Sequence, residues 1–221
     1  MVAIKEIYLW TTKVRPSWRS PSANTIAYYP LTSSSQWNDM KWFWTAYNLT
    51  WGSYWTNQWV DCVNYSSSKP TRSTNILWAA PSAFTVSCWA YVTSWDILAF
   101  GWDGGNTFTF FKNGNYFYLW GWNYDYATTW SLTTWWHHLL CSYTPWTSKA
   151  YMDWVLVATA SFTYTWLDTS SSTARTEIGR NARSWGSWSG YMSELIVESV
   201  AWSASEITDY YNYTKWNYWI S

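Results

Sequence analysis

Glycine is scarce in this chain. There are 9 in 221 residues, where ordinary usage of about 7% would give roughly 15. Charge is scarce as well. Asp, Glu, Lys and Arg make up 12% of the residues, and 13 basic groups balance 13 acidic ones. A chain with no basic surplus lacks the electrostatic footprint of a nucleic-acid binder. No run of about 18 apolar residues occurs, so no segment is expected to insert in a membrane as a helix. The opening "MVAIKEIYLW" has no long apolar core and carries Lys5 and Glu6, so no signal peptide is expected. Cysteine is limited to Cys62, Cys88 and Cys141. Their spacing matches no zinc or redox motif. An odd number cannot all pair within the chain, so buried thiols made in a reducing compartment are expected.

What the chain has instead is tryptophan: 25 residues, with 19 tyrosines beside them. Several tryptophans stand where loops call for glycine. "KAYMDWVLVAT" reads as two short strands around a two-residue turn, Asp153-Trp154. Such turns favour Asp-Gly or Asn-Gly because both central residues take positive φ. "YTPWTSK" puts Trp146 after Pro145, the glycine position of a type II turn. Trp135 in "SLTTWWHH" and Trp10 in "EIYLWTTK" also sit at the edges of apolar runs. Trp55, Trp59, Trp78 and Trp219 lie in polar surroundings. One reading is decoding: UGA is stop in the standard code, Trp in some bacterial codes and Gly in a few others. A glycine-reading gene translated with the tryptophan table gives this pattern. The alternative is a chain that is truly rich in tryptophan. In either case the surplus alone is not evidence of a sugar-binding surface.

Hydrophobic periodicity indicates strands. In "AFTVSCWAYV", Phe84, Val86, Cys88, Ala90 and Val92 fall on one face, and Thr85, Ser87, Trp89 and Tyr91 on the other. "NTIAYYPL" precedes this strand. After it comes "DILAFGWDGGNTFTFFKNGNYFYLWGW", with a glycine-rich turn at Asp103 to Asn106 and a hairpin turn at Asn113-Gly114. "WHHLLCSY", "KAYMD", "VLVATA", "TARTEIG" and "WSGYMSELIVESV" continue the series. The only helical signal is late, where Ser203 and Glu206 form a capping-box pattern in "SASEITDYYNYTK". Short strands at this spacing predict an all-β fold, an antiparallel two-sheet jelly-roll sandwich with one short C-terminal helix. Pro16 and Pro21 among serines mark a linker. The division is residues 1–22 as an N-terminal strand segment and linker, and 23–221 as the sandwich. Phe84, Val86, Cys88, Ala90, Leu140, Ile178, Leu195 and Val197 are the expected core, and residues 1–20 are expected to pack lightly on it.

Six segments in order, "NTIAYYPL", "FTVSCWAYV", "WWHHLLCSY", "KAYMDWVLVAT", "TEIGRNA" and "WSGYMSELIVES", followed by "WSASEITDYYN", resemble the laminin G-like group of the concanavalin A-like lectin and glucanase jelly rolls. The resemblance covers roughly residues 24–214. The family has glycine where Trp135, Trp146 and Trp154 stand, which agrees with the decoding reading. The first residues, "IKEIYLWTTKVRPS", resemble more weakly the opening segments of phage tail-associated proteins.

Catalytic patterns are thin. Glucanases of the resembled class carry a Glu-x-Asp-x-x-Glu strand, whose carboxylates flank the bond about 5–5.5 Å apart in retaining enzymes. No such triplet occurs here. Glu194 and Glu198 share a strand face but flank Leu195, Ile196 and Val197, a core-strand pattern. His137 and His138 are adjacent and so point to opposite faces, which is awkward for one metal. "GWDGGN" lacks the lysine and following helix of a phosphate loop. Asp103 and Asn106 could offer oxygens to calcium, or simply make a turn.

The candidate ligand site is two connections, "GWDGGN" and "GWNYDYATT". They bring Trp102, Asp103, Asn106, Asn123, Tyr124, Asp125 and Tyr126. Aromatic walls with a few placed polar groups are the general form of a small-ligand site, and they suit sugar C–H faces and hydroxyls. The bland alternative is that these aromatics pack on the sheet. Trp185 and Trp188 are lesser candidates. The expectation is non-catalytic recognition of a glycan or cell-surface polysaccharide by a phage virion or cell-surface protein. A purely structural virion decoration domain is the alternative, and a glycoside hydrolase the third reading. Homo-oligomer or virion assembly is left open by the sequence.

Overall fold

The computed structural model describes residues 23–29, 53–57, 60–64, 71–72, 82–92, 96–101, 108–113, 116–121, 124–128, 134–160, 175–178 and 190–218. The expected N-terminal attachment segment, the Gly-rich turn at Asp103 to Asn106, and Trp185 and Trp188 lie outside them. Among the described residues, fourteen strands and one helix appear in chain order. They are β1 (Thr25–Tyr29), β2 (Ser53–Asn57), β3 (Val60–Asn64), β4 (Thr71–Arg72), β5 (Phe84–Val92), β6 (Asp96–Gly101) and β7 (Phe108–Asn113). Then come β8 (Tyr116–Gly121), β9 (Tyr124–Thr128), β10 (Trp136–Thr144), β11 (Thr147–Met152), β12 (Val155–Ala160), β13 (Arg175–Ile178) and β14 (Gly190–Glu198). Helix α1 (Ala204–Thr214) runs on into a 3₁₀ turn, Lys215–Tyr218.

The strands form two antiparallel sheets. One has the order β12-β11-β10-β5-β14-β3-β2, and the other β4-β13-β6-β7-β8-β9. The far edge of β14 is shared. Its start, Tyr191 and Met192, pairs with β3, and its end, Leu195 to Glu198, pairs with β1. β9, the last strand of the second sheet, lies against β12, the last strand of the first. The architecture is the expected all-β sandwich with one short C-terminal helix.

The β5 alternation is correct, yet both of its faces are buried. Phe84, Val86, Cys88 and Ala90 are fully enclosed, and so are Thr85, Ser87 and Trp89. The reason is α1. Its buried residues, Ile207, Tyr210, Tyr211 and Thr214, recur at i, i+3, i+4 and i+7, the apolar stripe of an amphipathic helix. That stripe covers the second face of the central strands. Trp89 stacks on Tyr218 at 4.0 Å and on Tyr211 at 5.6 Å between ring centroids, and its indole N–H donates to Thr214 Oγ1 at 3.2 Å. Leu140, Ile196, Trp202, Ile207 and Tyr210 form a neighbouring cluster. Leu140, Leu195 and Val197 are buried as expected. The three cysteines are buried thiols, and enclosure pushes Cys88 up to about 12 and Cys141 higher still.

The helix begins where the capping pattern places it. Ser203 is extended (φ −71°, ψ 161°), and its hydroxyl accepts from the Glu206 backbone N–H. The Glu206 carboxylate accepts from the Ser203 N–H at 2.8 Å. Trp202, just before, is pinned to the sheet. Its backbone N–H donates to Thr85 Oγ1 at 2.9 Å, and its indole N–H to the Glu198 carboxylate at 2.6 Å.

Two hairpins close β10, β11 and β12. Thr144 pairs with Thr147, leaving Pro145-Trp146 as the turn, and Met152 pairs with Val155, leaving Asp153-Trp154 as the turn. The β7–β8 hairpin differs from expectation by one residue. Asn113 is the last residue of β7 and pairs with Tyr116, so it is a strand residue.

Candidate functional site

The predicted ligand residues divide in two. Trp102, Asp103, Asn106 and Asn123 lie outside the described residues, so the calcium option at Asp103 and Asn106 lies outside them too. Tyr124, Asp125 and Tyr126 do not sit in a connection. They open strand β9, where Tyr124 pairs with Gly121, Asp125 with Trp120 and Tyr126 with Leu119. Among the described strands, β9 has β8 alone beside it in its sheet, and it meets β12 of the other sheet. The segment therefore lies at the end of its sheet among the described strands.

The two histidines point apart, as adjacency on a strand requires. His137 Nδ1 lies 2.7 Å from Asp153 Oδ2. Asp153 Oδ1 accepts from the His138 backbone N–H at 2.9 Å, and the Asp153 N–H donates to the His138 carbonyl at 2.9 Å. One turn residue thus ties the hairpin to β10. His138 turns under the helix, with Nε2 2.7 Å from Ser87 Oγ and the rings of Trp89, Tyr210 and Tyr211 around it. Burial lowers its pKa to about 4 against a smaller upward pull from Asp153. It is therefore neutral near pH 7. His138 Nδ1 and Trp136 Nε1 have no hydrogen-bond partner in this layer.

Sequence reasoning did not anticipate the role of Glu194. It sits at a bulge in the β14–β5 register, with φ of 52°. Its carboxylate accepts from Tyr218 Oη at 3.2 Å and Tyr210 Oη at 3.4 Å. Burial first, and then the Glu194 charge, raise Tyr210 well above the ordinary tyrosine value. No glycine or asparagine flags the bulge in the sequence. Glu194 and Glu198 are 9% and 1% exposed, and each is engaged by side chains that hold β14 to the helix region. This layer is a sealed anchor for α1.

Among the described residues no group of three His, Cys, Asp or Glu side chains could hold a metal ion. No described helix is long and apolar enough to cross a membrane.

The laminin G-type profile of the concanavalin A-like lectin/glucanases superfamily matches residues 64–208, well over half of the chain. The chain belongs to this superfamily. A comparison with curated proteins gave no match. Solved structures with the same fold include domain 4 of AbnA, a GH43 extracellular arabinanase from Geobacillus stearothermophilus, in complex with arabinotriose. It has a TM-score of 0.67 and 16% identity, over 84% of this chain and 97% of that one. The botulinum neurotoxin type C structure, described by the dependence of cell entry on two ganglioside molecules, has a TM-score of 0.58 and 13% identity. That match covers 86% of this chain and 51% of the other. A Trypanosoma rangeli sialidase in complex with 2,3-difluoro-KDN has a TM-score of 0.67 and 12% identity over 90% and 34%. The chain spans about half of the toxin chain and a third of the sialidase. At these identities the likeness is one of fold.

Proposed function

We propose that this chain is a non-catalytic carbohydrate-binding domain that recognises a cell-surface glycan through β9 and the segments "GWDGGN" and "GWNYDYATT". The observation that carries the reading is the extent of one match. The chain's fold aligns with 97% of an arabinanase domain in complex with arabinotriose, so the shared unit is that whole domain. The ligand groups are Tyr124, Asp125 and Tyr126 on β9, with Trp102, Asp103, Asn106 and Asn123 from the connections. Tyrosine rings stack on sugar C–H faces, and Asp and Asn side chains orient the hydroxyls. In this reading the domain is displayed on a phage virion or a cell surface, with residues 1–22 as its attachment segment. Tail or capsid genes beside its own would support the virion setting. In this reading the tryptophan surplus is not itself the stacking surface, and many of the 25 tryptophans stand in place of glycine.

The test is a polysaccharide and glycan panel probed with the full chain and with Tyr124→Ala. Saturable binding to at least one glycan, lost in the variant while circular dichroism is unchanged, supports the site. Binding that survives Tyr124→Ala and Tyr126→Ala moves the site elsewhere, and a blank panel favours a structural decoration domain.

A further inference from the structure

We infer that positions 146 and 154 are glycine in the protein as its own cell makes it, whereas Trp89, Trp136 and Trp202 are tryptophan. Five of the described tryptophans fall into two groups, with Trp135 and Trp216 outside both. Trp89 and Trp136 are fully enclosed and Trp202 is 3% exposed. None of the three has positive φ. Two of them place the indole N–H on a specific acceptor, Thr214 for Trp89 and Glu198 for Trp202. Trp146 and Trp154 are the opposite. They are 67% and 43% exposed, and both sit in the left-handed region at φ 66° and 65°.

The left-handed region is where Cβ crowds the following carbonyl, and bulky residues avoid it. Four non-glycine residues occupy it among the described residues: Trp146, Asp153, Trp154 and Glu194. Aspartate is one of the side chains that tolerates it. Glu194 is held there by two tyrosine hydroxyls in a bulge. The two tryptophans have no comparable reason. Each is instead the residue that turn chemistry assigns to glycine. Asp153 and Trp154, both with positive φ between the paired residues Met152 and Val155, make a primed two-residue hairpin turn whose preferred sequence is Asp-Gly. Pro145-Trp146 between Thr144 and Thr147 has the type II pattern, with proline first and a positive φ second, which calls for glycine.

Composition agrees from an independent direction. The chain is short of glycine by several residues while holding 25 tryptophans. A gene whose UGA codons mean glycine, read with UGA as tryptophan, converts only those glycines and leaves UGG tryptophans in the core untouched. Trp135, a third candidate, is not assigned. Its φ is not positive, and it packs half-buried beside Tyr91 with ring centroids 6.3 Å apart. One contact favours a true tryptophan at 154: its ring lies 4.5 Å from Tyr211. Trp146 is exposed and shows no such contact.

The gene and the native protein decide it together. The coding sequence is expected to read UGA at 146 and 154 and UGG at 89, 136 and 202. In the native protein, the tryptic peptide covering residues 150–175 is expected to be lighter by the Trp-to-Gly difference at position 154, with fragmentation reading position 166 separately. The peptide covering residues 113–149 is expected to show the same loss at 146. UGG at either turn position, UGA at any of the three core positions, or tryptophan mass at 146 or 154 in the native peptides overturns the inference. None of these outcomes depends on whether the domain binds a glycan.

Discussion

Replacing Trp146 with glycine and, separately, with alanine isolates the backbone from the side chain. Both variants lose the indole, so whatever it buries cancels between them. What remains is the cost of a Cβ at φ 66°. An L-residue in the left-handed region costs about 1–2 kcal/mol. Glycine returns roughly 0.4–1 kcal/mol of this through its freer unfolded chain. The net preference is about 1 kcal/mol for glycine over alanine. In a domain of this length that corresponds to about 2–4 °C in Tm. Trp154, at φ 65°, should show the same preference. Trp216 supplies the control. It is 58% exposed and lies in the 3₁₀ turn after α1, where φ is not positive. There glycine should be less stable than alanine by about 0.5–1 kcal/mol. The assay is scanning calorimetry on the six variants. The reasoning predicts opposite signs at 146 and 154 compared with 216. Alanine matching or exceeding glycine at both turns would refute the left-handed geometry.

Two further outcomes rest on the layer under the helix. His138 has a folded pKa of about 4 against an ordinary 6.5, so between those values the unfolded chain binds more protons than the folded one. Its contribution is complete above about pH 6.5 and is lost as pH falls towards 4, by about 3 kcal/mol in all. Urea unfolding across that window should show a steeper acid loss for the natural chain than for His138→Gln, and parallel curves would contradict the buried, neutral assignment. Ser203→Ala removes the hydroxyl that caps α1 and should cost about 1 kcal/mol. The urea midpoint should fall accordingly, and an unchanged unfolding midpoint would show that the cap carries no stability.

How much was legible depended on how local each signal is. The Ser203–Glu206 box and the Asp153 turn are written within a few residues, and both stand where the sequence put them. The β5 alternation was legible, but not the burial of its second face, because that depends on a helix more than a hundred residues away. Asn113 read as a turn residue, yet it ends β7 paired with Tyr116, because cross-strand register, not the dipeptide alone, sets where pairing stops. Tyr124 to Tyr126 read as a connection because polar, aromatic residues suit both a loop and an outer strand. Glu194 was invisible as a bulge. Its left-handed backbone is held by Tyr210 and Tyr218, which are distant in sequence.

On the proposed function the domain captures a carbohydrate and leaves it unchanged. The direct measurement is to incubate the full chain with each glycan it retains on a panel, recover the bound sugar and compare its mass with the input. The account predicts saturable capture with the sugar recovered intact and no new reducing ends. Shortened sugar with new reducing ends would make the protein a glycoside hydrolase. No capture across the panel would make it a structural domain, and either result would contradict the account.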